Sequence, residues 1–219
     1  MAWGESLTTY YDTLQTPDYS PLIVHFTKDK DMVMAKIVEE DHPLFAIRKA
    51  PARDRLISIL KTRIIHASPM PFLPRHPSAV SFTECIWDAL ARLAEQYSSY
   101  GVVFSKHLIF ARGGGPALYM RGDAVKRLAE NIPVSIEPFI APFDPEAVLK
   151  PGVPLDYLQE REWRLPSSLA FEYSDLQYVL VESIEDARWV VHQIGAQRLP
   201  EEKLIPMEVY RNIRRAWGG

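Results

Sequence analysis

The sequence predicts an α+β fold, and three observations lead there. Short runs of β-branched and aromatic residues recur along the chain, broken by helical patterns at irregular intervals. The regular strand–helix alternation of a doubly wound parallel sheet is missing. The chain has 219 residues, 47% apolar and 24% charged, which is enough to bury a core without disulfides or a structural metal. One domain over residues 1–219 is expected. Its core runs from about residue 20 to 183, and a helical and strand extension occupies 184–219.

The first 20 residues are polar and aromatic, with a turn at Thr16-Pro17-Asp18. Pro21-Leu22-Ile23-Val24-His25-Phe26 reads as a buried strand. A polar stretch from Thr27 to Asp31 starts a helix through Met34 and Ile37, interrupted at Asp41-His42-Pro43. Pro51 opens a clearer helix with Leu56, Ile59 and Leu60 on its apolar stripe. Ile64 to Ala67 is a short strand, and a proline-rich loop runs from Ser68 to Pro77. Ala79 to Thr83 is a strand, and Ile86, Trp87, Leu90, Leu93, Ala94 and Tyr97 mark an amphipathic helix.

Tyr100 to Phe104 is a strand, and a helical turn from Lys106 to Phe110 closes on Gly113-Gly114-Gly115. Ala117 to Met120 is a strand, followed by a helix over Asp123–Glu130 with Asp123 as its N-cap. The proline-rich stretch 133–155 shows little period and reads as a long loop. Leu176 to Val181 is a strand, and Glu185 to Ile194 a helix ended by Gly195. Lys203 to Pro206 is an edge strand, since proline cannot donate to a ladder. A short basic helix around Arg211, Arg214 and Arg215 ends the chain.

Bulk chemistry narrows the function classes. A net charge of −3 gives no broad basic footprint for nucleic acid, although a local patch is compatible with it. Cys85 is the only cysteine, so neither an intrachain disulfide nor a Cys-rich zinc site can form. The N-terminal residues lack the basic and apolar regions of a signal peptide, and no apolar run is long enough to span a membrane. A cytoplasmic protein without membrane contact is the expectation.

The most unusual segment is Glu160-Arg161-Glu162-Trp163-Arg164. If extended, Glu160, Glu162 and Arg164 share one strand face and Arg161 and Trp163 the other. Such a face suits a site that holds a polar ligand. If helical, Glu160 and Arg164 form an ion pair worth about 0.2–0.5 kcal/mol. The carboxylate beside a developing oxocarbenium centre is a recurring means of glycosidic bond cleavage. The blander alternative is an ion-pair network with Arg161 and Arg164 that fixes the segment.

Other candidates are weighed the same way. His25 and Thr27, at the end of the first strand, offer hydrogen bonds to sugar hydroxyls or an amide, or else serve a core edge satisfied by main chain. Tyr119 is a core aromatic or a stacking platform. Arg63 is the best basic candidate for a phosphate contact, against a surface ion pair. Gly113-Gly114-Gly115-Pro116 lacks the lysine of a phosphate loop and reads as a turn. Glu84 and Asp88 flank a helix start, where acids complement the dipole. No nucleophile elbow surrounds Ser81 or Ser105, and no metal-binding histidine motif occurs.

The order His25-Phe26-Thr27, Tyr119, then Glu162 or Glu160 resembles ADP-ribosyltransferases of the His-Tyr-Glu kind. The stretch LISILKTRIIHAS, from Leu56 to Ser68, is similar to the segment after the histidine motif in DNA-modifying ADP-ribosyltransferase toxins. A broader resemblance, over about residues 22–182, is to the bacterial abortive-infection AbiGi-like proteins. It is carried by VHFT, AVSFTE, YGVVFSK, GGGPALYM and EREWR.

The resemblance implies a split, mostly antiparallel sheet with an NAD cleft between its halves, in a protein of anti-phage defence or a toxin–antitoxin system. NAD would be a substrate. His25 and Thr27 would meet the adenosine-side ribose, Tyr119 the nicotinamide and Arg63 the pyrophosphate. Glu162 would bind the nicotinamide ribose and stabilise the cationic transition state. The acceptor would be a protein or a nucleic acid. AbiGi-like proteins are named as antitoxins, which implies a non-catalytic alternative that binds a cognate toxin. A third possibility is a nuclease, with Glu160 and Glu162 holding Mg²⁺ and Asp156 nearby.

Overall fold

Leu22, Ile23, Val24 and Phe26 form the first strand because every second residue meets a core and the residues between are covered as well. In the computed structural model, residues 20–28, 47, 49–85, 87–150, 153–155 and 158–216 are described. The turn at Thr16-Pro17-Asp18, the helix through Met34 and Ile37 and the break at Asp41-His42-Pro43 lie outside them.

The described elements up to the centre of the chain are β1 (Leu22–Phe26), α1 (Ala52–Thr62), β2 (Ile64–Ile65), β3 (Ser68–Pro69), β4 (Ser78–Glu84), α2 (Trp87–Gln96) and β5 (Gly101–Ser105). Next come α3 (Lys106–Ala111), β6 (Gly115–Pro116), β7 (Leu118–Arg121), α4 (Gly122–Leu128), β8 (Ile140–Lys150) and β9 (Val153–Leu155). The last are β10 (Trp163–Leu165), β11 (Leu169–Ala170), β12 (Tyr178–Val181), α5 (Ile184–Ile194), β13 (Leu204–Pro206) and α6 (Met207–Ala216). The fold is α+β, and most strand pairs are antiparallel.

The chain divides into two compact units. The first contains the described residues up to Ile64, the segment Cys85–Ser105 and the chain from Ala170 onward. Its strands run in the order β13-β12-β5-β1. Only β13 is parallel to its neighbour, Val179 facing Leu204, and it lies at the edge, as its proline requires. Val24 and Phe26 of β1, Val103 of β5 and Leu180 of β12 pack with Leu90, Leu93 and Ala94 of α2 and Met207 of α6. The alternate residues Ile23, Val102, Phe104 and Val179 are also fully buried, so this sheet is covered on both faces. Helix α5 begins at Ser183, whose hydroxyl accepts from the Asp186 N–H, and ends at Gly195, where φ is +96°. Arg53 of α1 lies over Trp189 of α5, 3.7 Å from the ring centroid, and pairs with Asp186 at 3.2 Å. Asp186 also accepts from the Tyr100 hydroxyl at 2.8 Å, and burial beside that carboxylate pushes the tyrosine pKa up.

The second unit contains Ile65–Glu84 and Lys106–Leu169. Strands β3, β4, β10 and β6 pair in that order, all antiparallel. A separate sheet has the order β7-β8-β9. Met70, Leu73, Ala79, Val125, Ile132 and Ile140 make this unit's core.

Two expectations change. The stretch 133–155 is not a loop. It holds a 3-10 turn at Glu137–Phe139 and the long strand β8, parallel to β7 and antiparallel to β9. Three of the prolines that read as breakers sit where a ladder donor is not required, while Pro142 lies within β8 opposite Met120. Pro138 is in the turn, Pro145 lies where the register with β9 shifts, and Pro154 is on the edge strand. Asp123 is not an N-cap. It lies in the first turn of α4 after Arg121, and its ion pairs with Arg121 and Arg127 hold its carboxyl below the usual range.

Gly101 in the middle of its sheet has no room for a side chain. A Cβ there would lie 2.9 Å from the His25 carbonyl oxygen and 3.0 Å from Val24 Cγ2. Gly122, opening α4, has open space and an ordinary backbone. Gly101→Ala is expected to destabilise the protein by about 1–3 kcal/mol. Gly122→Ala is expected to be neutral or to stabilise by about 0.4–1 kcal/mol. Urea denaturation midpoints of the two variants, compared with wild type, check both outcomes.

Candidate functional site

The pentapeptide is extended only in its second half. Leu158–Glu160 is a 3-10 turn, Arg161 takes a left-handed φ of +44°, and β10 begins at Trp163. The expectation that Glu160, Glu162 and Arg164 share one strand face therefore fails for Glu160, which lies in the turn, and of the three only Arg164 is on β10, with Glu162 just before it. The cause is pairing. The Glu162 carbonyl accepts from the Ala117 N–H at 2.7 Å, Trp163 and Arg164 face Pro116 and Gly115 of β6, and Trp163 to Leu165 face Phe82 to Val80 of β4.

Arg164 sits at the centre of that three-stranded pairing and is only 4% exposed. Its Nε donates to Glu162 Oε1 and its Nη2 to Oε2, both at 2.9 Å. Its Nη1 donates to the carbonyls of Pro138 at 3.2 Å and Ile140 at 2.6 Å. This fork matches the carboxylate in a plane, and the remaining donors tie β10 to the start of β8. The Tyr119 hydroxyl accepts from the Glu162 N–H at 3.1 Å, bringing together two residues 43 apart in the sequence. Burial is the main reason the Tyr119 pKa rises, with the Glu162 and Glu160 charges adding to it. Tyr119 is thus a neutral phenol at this junction. Glu160 is buried in the same unit.

A second buried pair belongs to the same unit. Lys106 Nζ is 3.1 Å from Glu84 Oε2, and both side chains are almost fully covered. The ammonium lies 5.5 Å from the Trp163 ring centroid. Arg161, half exposed, reaches the other Glu84 oxygen at 3.8 Å. Burial lowers the Lys106 pKa, and Glu84 opposes that shift. Glu84 is thus the counter-ion of a lysine that opens α3, in place of the dipole partner its position in the sequence suggested. Trp163, Arg161, Lys106 and Glu84 form one contiguous charged and aromatic group.

The triple glycine serves packing rather than phosphate. A Cβ on Gly114 would lie 2.5 Å from Ile109 Cγ2 and 3.1 Å from the Arg164 carbonyl oxygen. Glycine there lets the turn after α3 press against β10. Phe72, on the turn before β4, has its ring centroid 5.9 Å from the Arg164 guanidinium carbon and is 55% exposed.

The other sequence candidates belong to the first unit. His25 is half-buried on β1, opposite Val102. Thr27 is buried, and its hydroxyl lies 2.9 Å from the Ala52 carbonyl and 3.1 Å from that of Tyr100, so its proton goes to main chain. Arg63, left-handed at the end of α1, forms an exposed ion pair with Glu172. Tyr119, Glu160 and Glu162 belong to the second unit. Of the predicted residues, Tyr119 and Glu162 are in direct contact.

Among the described residues, no group of three His, Cys, Asp or Glu side chains could hold a metal ion, and Asp156 lies outside them. Likewise no described helix is long and apolar enough to cross a membrane. Comparisons with protein-family models, curated proteins and solved structures find no match to this chain.

Arg164→Met leaves the Glu162 carboxylate and two carbonyls without their donor. It is expected to cost about 3–5 kcal/mol, with much of this recovered in Glu162→Gln/Arg164→Met, as measured by urea denaturation. Lys106 gives a pH signature. Its folded pKa lies below the ordinary value of 10.5, so between the two the unfolded chain binds a proton the folded chain has released. Stability relative to Lys106→Met is therefore expected to rise as pH is raised through that alkaline window. Unfolding curves of the two proteins from neutral pH to pH 10.5 test the sign.

Proposed function

We propose that this chain is an ADP-ribosyltransferase-like protein of bacterial anti-phage defence or a toxin–antitoxin system, acting on NAD. The observation that carries the reading is the meeting of Tyr119 with Glu162, whose carboxylate Arg164 holds fixed in a two-bond fork. The order of His25, Tyr119 and Glu162 along the chain adds to it.

In this reaction the bond between the nicotinamide nitrogen and ribose C1′ breaks, and its electron pair leaves with nicotinamide. A nucleophile on a protein or nucleic-acid acceptor then bonds to C1′ and loses its proton. Glu162 would accept a hydrogen bond from the 2′-hydroxyl and stabilise the cationic sugar between the two events. Arg164 does not preclude that. An ionised carboxylate has about four lone-pair positions, and a bidentate arginine occupies two. Tyr119 fixes the Glu162 main chain and presents a neutral ring beside it.

A second reading is favoured by the buried cations themselves. Glu84 and Glu162 both carry a buried partner, as expected if these acids are scaffolding in a non-catalytic antitoxin or interaction protein of the same fold.

Nicotinamide release from NAD by the purified chain separates the two. The first reading expects release, lowered about 10²-fold by Glu162→Gln with less effect from Glu160→Gln. Absence of NAD binding, with no release in the presence of protein or nucleic-acid acceptors, refutes it in favour of the second.

A further inference from the structure

The geometry points to Phe72 as the stacking surface for the adenine ring of a nucleotide bound beside the Glu162–Arg164 pair, an inference that rests on the NAD reading above. Phe72 is a large aromatic side chain left 55% exposed on a turn that also carries the buried Met70 and Leu73. That turn is firmly held. The Met70 N–H donates to the Pro77 carbonyl at 2.8 Å and the Leu73 N–H to the Met70 carbonyl at 3.1 Å. Arg75 fastens the other side, its main-chain N–H and its guanidinium each 2.8 Å from an oxygen of the buried Glu137. The same guanidinium donates to the Ile132 carbonyl at 3.0 Å. A ring presented on so fixed a turn loses little freedom when a flat ligand lands on it.

The kind of ring is set by Arg164. Its guanidinium is buried and lies within cation–π range of Phe72, drawing on the negative face of that ring. Phe72 stays 55% exposed beside that cation. A second cation there, such as the pyridinium of nicotinamide, would compete for the same π electrons. A neutral purine stacks through area and dispersion and meets no such penalty. Tyr119, a half-buried neutral phenol engaged with Glu162, is a separate aromatic group, so the two rings divide the ends of the dinucleotide between them.

The test is calorimetric titration of the full chain with NAD, ADP-ribose, AMP and nicotinamide mononucleotide, for wild type, Phe72→Ala and Phe72→Trp. Thermal melts confirm that each variant is folded. Phe72→Ala is expected to weaken NAD, ADP-ribose and AMP about tenfold and leave nicotinamide mononucleotide unchanged, while Phe72→Trp retains wild-type affinity. If wild type binds NAD and Phe72→Ala binds the adenine ligands equally well, the inference is wrong and the NAD reading stands. It is also wrong if Phe72→Ala weakens nicotinamide mononucleotide as much as AMP. If wild type binds neither NAD nor ADP-ribose, both fail together.

Discussion

The buried guanidinium of Arg164 is the interaction on which the second unit depends. A charge with 4% exposure is tolerable only when nearly every donor has a partner. Here Glu162 supplies two acceptors and the carbonyls of Pro138 and Ile140 supply two more. One side chain therefore joins a strand, the turn that precedes β8 and the first residue of β8. The main-chain side of the same residue is also constrained, because a Cβ on Gly114 would lie a tight 3.1 Å from its carbonyl oxygen. The geometry of the glycine turn, of β10 and of the 137–140 segment is thus one problem with one solution.

That arrangement decides how the acids of this unit behave. Glu162 is oriented by a fork of two hydrogen bonds, and Tyr119 accepts from its main-chain N–H. Glu84 is paired with Lys106, with the more exposed Arg161 reaching its other oxygen. A buried anion, Glu84, and a partly buried one, Glu162, each with a buried cation, lie near an aromatic strand residue, Trp163. Pairs of this kind contribute little net stability against well-packed apolar replacements. Their contribution is orientation, since a forked contact fixes both the position and the plane of a carboxylate. The left-handed backbone at Arg161 fits the same picture, because a non-glycine residue in that region costs free energy that its surroundings must offset.

Much of the fold was legible in the sequence. β1, β4, β5, β12, α1, α2 and α5 obey period-two or helical patterns that depend only on neighbours in the chain. The errors share a different origin. β8 is hidden because the prolines in and around it look like breakers, and only the fold places Pro138 in a turn, Pro145 at a register shift and Pro154 on an edge strand. Glu160 falls on a strand only if alternation is extended past the point where pairing stops. The Glu162–Arg164 pair is legible as two opposite charges at i, i+2 spacing, although Glu162 lies just before β10. The Glu84–Lys106 pair is not, since its members end one segment and begin another with a helix and a strand between them.

The tension between chemistry and scaffolding at Glu162 narrows once the acceptor positions are counted. A carboxylate fully enclosed by donors has nothing left for a ligand, and its arginine would be a structural plug. Arg164 spends only two of its hydrogen bonds on Glu162 and gives the others to main chain. The carboxylate therefore keeps lone pairs to offer, and its side chain keeps some exposure, 13% against 4% for the arginine. The two-bond fork also fixes the plane in which those lone pairs lie, so the carboxylate is placed to accept a hydrogen bond from a ligand hydroxyl without surrendering its contact with Arg164.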